Sequence, residues 1–306
     1  MKIHDGRHPW KLLGYKAFYF SILHVIYRMP IPYQKKLDLK KALFYDNFTK
    51  YAKTRFKINE ASDETGAFCV YDMGPFRLCI YSDSDFFTID SLEWNLSYEF
   101  LDIIYPALNP RYFNFMLGEG PYEVENVRCE KGDYVLDAGA NIGAFSFLTS
   151  NEVGDKGRVF AVEPIDFFIK CMKRSIKMNS ASNVSILEYA LGKDDREIEL
   201  TLDPDNPMNT GVHNSSSRTY KITQKKLDTL VFDKKIPRVD FIKMDIEGFE
   251  RHALKGGSET IFKFKPKLAI CTYHLKDDPT VIRDLIKSIN PAYKFRQGRK
   301  KLYAWI

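Results

Sequence analysis

Asp133-Tyr-Val-Leu-Asp-Ala-Gly-Ala-Asn-Ile-Gly-Ala-Phe-Ser146 begins as a strand, turns through glycines and continues as a helix. Tyr134-Val-Leu reads as a short buried strand, and the helix begins at Ala144. Gly139 lets the chain turn sharply, because glycine lacks the Cβ that forbids most turn conformations. Gly143 lets the helix start close to the strand. The same alternation repeats outward. Strands are expected at 158–162, 184–187, 240–244 and 267–273, with helices over 167–178, from about 249, and over about 279–289. Strand and helix alternating at this spacing predict an α/β domain, a mainly parallel sheet with helices on both faces. Two β-like runs, 197–201 and 218–222, interrupt the pattern and enclose a polar insert, 203–217.

In an open parallel sheet a ligand binds beyond the carboxyl ends of the strands, where the strand order reverses. The first strand-to-helix turn, Asp137-Ala-Gly139-Ala-Asn141-Ile-Gly143, is therefore the first place to look. A nicotinamide or flavin dinucleotide wants Gly-x-Gly-x-x-Gly, whose middle glycine lets a pyrophosphate approach the backbone. Here Asn141 stands where that glycine is needed, and the strand ends in Asp137. A carboxylate repels a pyrophosphate, whereas it attracts the ammonium group of S-adenosylmethionine. The second strand ends in Glu163-Pro164, twenty residues beyond Gly143, where an acid can accept both hydroxyls of a ribose. The combination fits an adenosine ligand and does not by itself name the cofactor.

The strand ending at Met244 runs into Asp245-Ile-Glu247-Gly248-Phe-Glu250, which places three acids at the same sheet edge. Asp245 has two readings: an oxygen acceptor near a helix N-terminus, or a group that positions or deprotonates an acceptor hydroxyl together with Glu247. The next strand ends in Tyr273-His274, and a histidine there is expected to face the crevice and take a proton. These residue types can also hold a divalent cation. Their spacing is not diagnostic, so metal dependence stays open.

Upstream, residues 1 to about 60 are basic and aromatic, with one helix of roughly 15 residues expected before Pro30. It is read as packing on the main domain or on a second subunit, with a membrane-surface helix as the alternative. Phe68-Cys-Val-Tyr71, Phe76-Arg-Leu-Cys-Ile-Tyr81 and Phe86-Phe-Thr-Ile89 read as short strands, and 91–117 as helical with a break at Pro106 to Pro110. Residues 1–120 are thus taken as an accessory region and 121–306 as the main domain. The apolar run 17–27 is too short to span a bilayer. The net charge of +6 over 306 residues is mild, and a nucleic-acid partner would want a denser basic patch. Five cysteines without a Cys-x-x-Cys pair point to reduced thiols in a cytoplasmic setting.

Val135-Leu-Asp-Ala-Gly-Ala-Asn-Ile-Gly143, Val159-Phe-Ala-Val-Glu-Pro164, Val239-Asp-Phe-Ile-Lys-Met-Asp-Ile-Glu-Gly-Phe-Glu250 and Tyr273-His-Leu-Lys-Asp-Asp278 occur in this order. Shorter echoes are Gly120-Pro-Tyr-Glu123, Leu227-Asp-Thr-Leu230 and Ala253-Leu-Lys-Gly-Gly257. In this combination they resemble the FkbM family of S-adenosylmethionine-dependent methyltransferases, over residues 120–306. The resemblance implies a Rossmann-like class I methyltransferase sheet and, usually, O-methylation of a sugar or glycan hydroxyl. It implies a cofactor site lined by Glu123, Asp137, Gly139, Asn141, Gly143, Glu163 and Ala190, with Asp245, Glu247 and His274 facing the acceptor. It leaves residues 1 to about 110 uncovered, where substrate choice or homo-oligomer contacts are expected. The competing reading is a binding or scaffold module that kept the fold and lost the chemistry. A nucleic-acid methyltransferase is disfavoured, since no Asn/Asp-Pro-Pro-Tyr/Phe segment occurs.

Overall fold

The structure, a computed structural model, describes residues 57–82, 121–202 and 218–306, with 28, 29 and 35 as isolated positions. The N-terminal helix, the strand at 86–89, the helical stretch 91–117 and the polar insert 203–217 lie outside the described residues.

The centre is a seven-stranded sheet. Its strands are β4 (Tyr134–Ala138), β5 (Arg158–Val162), β6 (Val184–Leu187), β10 (Phe241–Met244), β11 (Lys267–Cys271), β12 (Lys294–Gln297) and β13 (Lys301–Trp305). The spatial order is β12-β13-β11-β10-β4-β5-β6. β4, β5, β6, β10 and β11 run parallel, and β13 is antiparallel to both its neighbours. The chain leaves β4 toward β5 and β6, then returns to β10 on the other side. The strand order therefore reverses between β4 and β10, which is where such a sheet opens a ligand crevice.

Six helices cover the sheet among the described residues: α1 (Ala144–Val153), α2 (Asp166–Asn179), α3 (Leu227–Asp233), α4 (Glu250–Gly256), α5 (Ser258–Phe264) and α6 (Asp278–Ile289). Successive side chains of a strand point to opposite faces. Val135 and Phe241 accordingly join the core with α1 and α2, while Leu136, Ile242 and Met244 join the core with α3 to α6. The mainly parallel α/β sheet expected from the alternation, and the Rossmann-like arrangement the resemblance implied, are the architecture found.

Residues 57–82 form an antiparallel sheet of β1 (Lys57–Asp63), β2 (Gly66–Asp72) and β3 (Arg77–Tyr81). It does not stand apart. Phe76, Leu78 and Ile80 share one core with α1, and Phe76 stacks on Phe147 at 6.1 Å between ring centroids. The Cys79 amide donates to Ser175 Oγ of α2 at 2.8 Å. Helix α1 is thus covered on both sides, which explains why its buried residues do not follow a one-sided stripe.

The β-like runs at 197–201 and 218–222 become β8 (Arg196–Leu202) and β9 (Arg218–Lys225). They pair antiparallel and, with the two-residue β7 (Ala190–Leu191), make a separate three-stranded sheet. The hairpin β12–β13 and the short helix α3 were not expected, and the helix expected from about 249 is divided at Gly257 into α4 and α5. Lysines and arginines crowd 294–301 and hide the hairpin's alternation, and a seven-residue helix offers too little periodicity to read.

Candidate active site

The turn after β4 is built from left-handed residues. Gly139, Asn141 and Gly143 have φ of 75°, 53° and 88°. Asparagine tolerates this region better than other residues with a Cβ, so Asn141 satisfies the turn without a third glycine. At Gly139 an added Cβ would lie 1.9 Å from the Asp245 carbonyl oxygen. The two loops of the crevice, after β4 and after β10, therefore touch backbone to backbone at this glycine.

Glu163, at the end of β5, closes the other side. Its Oε2 accepts the Asn141 amide at 2.8 Å and its Oε1 the Ile165 amide at 3.0 Å. Burial pushes its carboxyl up to about 7, against the two amide bonds and the Lys243 charge that favour the ionised form. Between these loops opens a crevice of about 690 Å³ including its mouth. Gly139, Asn141, Glu163, Ala190, Asp245 and Glu247 all line it, so six of the ten anticipated residues meet in one place. Ile165, Phe168, Tyr189, Ile198 and Leu200 supply an apolar wall. β8 thus contributes directly to the crevice through Ile198 and Leu200.

The acidic loop is held from several directions. The Tyr122 hydroxyl donates to Asp245 Oδ2 at 2.6 Å, and the Tyr273 hydroxyl to Oδ1 at 3.4 Å. Burial works to raise the Asp245 carboxyl, but the charges of Lys243, His274 and Lys301 and the Tyr122 bond outweigh it and hold it below the usual carboxylate value. Glu247 sits at a left-handed φ of 55°, followed by Gly248 at 94°. Burial pushes its carboxyl up to about 7, opposed by His274 and reinforced by the Asp245 charge. Two neighbouring acids are thereby split, one held below the usual carboxylate value and one poised near neutrality.

Four expectations need correction. Asp137 does not face the crevice. Period-two alternation turns it onto the α1 face, in register with Lys243 across β4 and β10. Its Oδ1 lies 2.9 Å from Lys243 Nζ and its Oδ2 accepts the Ser146 hydroxyl at 2.6 Å. That charge is already neutralised and cannot attract an ammonium group directly. Gly143 also sits behind the loop, where an added Cβ would meet Phe147 at 2.8 Å. It serves helix packing. Glu123 is elsewhere: the Val124–Val127 bridge folds the chain back so that its Oε1 accepts the Cys129 amide at 2.6 Å, beside Glu152.

His274 does approach the acids, but not as a base. Its Nε2 lies 3.2 Å from Glu247 Oε2 and 3.7 Å from Asp245 Oδ1, and its Nδ1 lies 3.1 Å from Glu250 Oε1. Burial lowers the affinity of the ring for a proton, yet the contacts to Glu247 and Glu250 and the charges of Glu250 and Asp245 dominate. They push it up to about 11. An imidazole already protonated at neutral pH has no lone pair with which to accept a proton.

The residues missed by sequence are the supports. Lys243 is buried and reaches from Asp137 to the Gly139 carbonyl at 2.6 Å, tying the two central strands to the turn. A lysine inside the apolar strand Phe-Ile-Lys-Met was the available signal. Tyr122, one position from the anticipated Glu123, is the residue of that segment that reaches the site. Arg251 ion-pairs with Asp278 and Asp277 at 2.5 Å each, fixing the loop that carries His274 to α4.

Residues 137–296 match the family model of the methyltransferase FkbM domain. Methyltransferase sdnD of Sordaria araneosa is 24% identical over 200 residues, covering 55% of this chain and 74% of that protein. The hexuronic acid methyltransferase AglP of Haloferax volcanii is 28% identical over 160 residues, covering 52% of this chain and 63% of that protein. Among solved structures, a methyltransferase FkbM from Methylobacillus flagellatus superposes with a TM-score of 0.45 at 22% identity, covering 72% of this chain and 56% of that one.

Proposed function

The chain belongs to the methyltransferase FkbM family, with S-adenosylmethionine as its methyl donor, and on that premise we propose that it methylates a hydroxyl of a sugar or glycan. The observation that carries this reading is the composition of the crevice. One end offers Glu163 and an apolar wall, suited to a ribose and an adenine. The other offers Asp245 and Glu247, suited to a hydroxyl that must lose a proton. The relative named as a hexuronic acid methyltransferase supports a sugar acceptor.

The donor supplies an electrophilic methyl group on a sulfonium, whose leaving group is neutral. The chain's own task is then mainly alignment. Asn141, Glu163 and Ala190 would hold the adenosine half. Asp245, its proton affinity lowered by Lys243, His274 and Lys301 and its side chain braced by Tyr122 and Tyr273, orients the acceptor hydroxyl. Glu247, near neutrality in its affinity for a proton, is the group placed to take the hydroxyl proton.

Calorimetry with S-adenosylmethionine tests the first half. Glu163→Gln is expected to weaken binding about tenfold to a hundredfold, the worth of a hydrogen bond to a charged group, roughly 1.5–3 kcal/mol. Affinity of the wild type is expected to fall as pH drops below about 7, because Glu163 then takes up a proton. The stability sign is opposite. The folded value lies above the ordinary 4.5, so the contribution of Glu163 to folding is full below about 4.5 and is lost as pH rises through about 7. Flat affinity across this range would remove Glu163 from the ribose. A screen of sugar acceptors with labelled donor tests the second half. Donor binding without transfer to any acceptor hydroxyl would favour a binding module.

A further inference from the structure

We propose that Asp245, Glu247 and His274 form a site for one divalent cation of the Mn²⁺ class at the acceptor end of the crevice. The proposal rests on the acceptor-side reading above and adds a ligand to it. One atom from each residue can be chosen so that all three lie within 4.8 Å of one another. The carboxylates come from the loop after β10 and the imidazole from the loop after β11, so one ion would join the two. The left-handed backbone at Glu247 and Gly248 accompanies the return of the Glu247 carboxylate toward His274.

The histidine provides the independent observation. Its side chain is nine-tenths buried. Neither ring nitrogen has a hydrogen bond of good angle, although carboxylate oxygens lie at 3.1 and 3.2 Å. Nδ1 faces Glu250 Oε1, which is itself fixed by the Ile246 amide at 2.9 Å. A carboxylate behind the far nitrogen is the usual outer partner of a metal-binding imidazole, since it sets the tautomer and aims the other nitrogen. Nε2 lies 3.2 Å from Glu247 Oε2 and 3.7 Å from Asp245 Oδ1. Asp245, Glu247 and Glu250 surround one imidazole, and a proton on the ring supplies a single positive charge among them. A divalent ion supplies two and leaves the ring neutral.

Two carboxylate oxygens and one imidazole nitrogen combine hard and borderline ligands, a set that suits Mn²⁺. Three protein ligands leave positions open, as catalytic metal sites do, where an acceptor oxygen can bind and become more acidic. Another cluster, Glu123, Cys129 and Glu152, is as compact. There burial pushes the Cys129 thiol far above the usual range, and a protonated thiol is a poor ligand.

The test is titration of MnCl₂ into the chelator-treated full chain, with free Mn²⁺ read by electron paramagnetic resonance. Wild type is expected to take up a single equivalent. Asp245→Asn, Glu247→Gln and His274→Ala are each expected to weaken uptake by at least about tenfold, Glu250→Gln by roughly 10–100-fold, and Glu152→Gln not at all. Glu247→Gln is isosteric and partly exposed, so it keeps the test decisive if the buried variants fail to fold. No saturable uptake at millimolar Mn²⁺, or uptake lost in Glu152→Gln but kept in Glu247→Gln, overturns the proposal. Donor calorimetry on the same samples separates the failures. Donor binding without Mn²⁺ uptake removes the cation site alone, whereas absence of donor binding removes the reading of the crevice on which it rests.

Discussion

Gly139→Ala is expected to abolish S-adenosylmethionine binding and to lower the melting temperature by roughly 5–15 °C. Two costs add. A residue with a Cβ in the left-handed region pays about 1–2 kcal/mol. The new methyl would also lie 1.9 Å from the Asp245 carbonyl oxygen, which is backbone and cannot rotate away. Overpacking of this kind costs typically 1–3 kcal/mol more. A total of about 2–5 kcal/mol gives the stated shift, at roughly 2–4 °C per kcal/mol for a domain of this size. Relief requires the loops after β4 and β10 to separate, and those loops carry Asn141 and Asp245. Gly74→Ala is the control: it has the same sign of φ, 98°, with nothing within 4 Å of the added carbon. It should lose only the backbone part and leave donor affinity unchanged. Equal behaviour of the two variants in differential scanning fluorimetry and calorimetry would show that the contact at Gly139 is unimportant.

The contrast between these glycines shows what a sequence can disclose. Strand-turn-helix order, and the identity of the crevice-lining Gly139, Asn141 and Glu163, follow from local pattern, because a turn and a strand end are local events. Asp137 was misplaced because its direction depends on which face of β4 meets which helix. Only the register with Lys243 decides that, and Lys243 arrives 106 residues later. His274 was misassigned for a related reason. Its tendency to hold a proton is set by Glu247 and Glu250, which join it only when β10 and β11 pair. Tyr122 reaches Asp245 across 123 residues and leaves no periodic trace. Pairwise chemistry between distant segments is the part a linear reading cannot weigh.

Asp245→Asn is expected to lower kcat by about 10²–10⁴-fold, with donor affinity changed far less. The magnitude is that of removing a charged group positioned on a reacting proton. The side chain is 17% exposed, so it is solvated through the crevice on one side and hydrogen-bonded by Tyr122 and Tyr273 on the other. Asparagine preserves an oxygen acceptor for Tyr122, so the loss of folding stability should stay near about 1–2 kcal/mol. What it cannot preserve is the negative charge that Lys243, His274 and Lys301 surround. A structural role alone would lower the melting temperature and the amount of active enzyme, leaving kcat per folded molecule unchanged. The decisive measurement is therefore single-turnover transfer with active sites counted by donor binding, on the best acceptor from the sugar screen. His274→Ala is the companion. It removes the imidazole that Asp245, Glu247 and Glu250 surround, and it should slow the same step while keeping donor binding. If both variants transfer at the wild-type rate per bound donor, the acceptor lies away from Asp245.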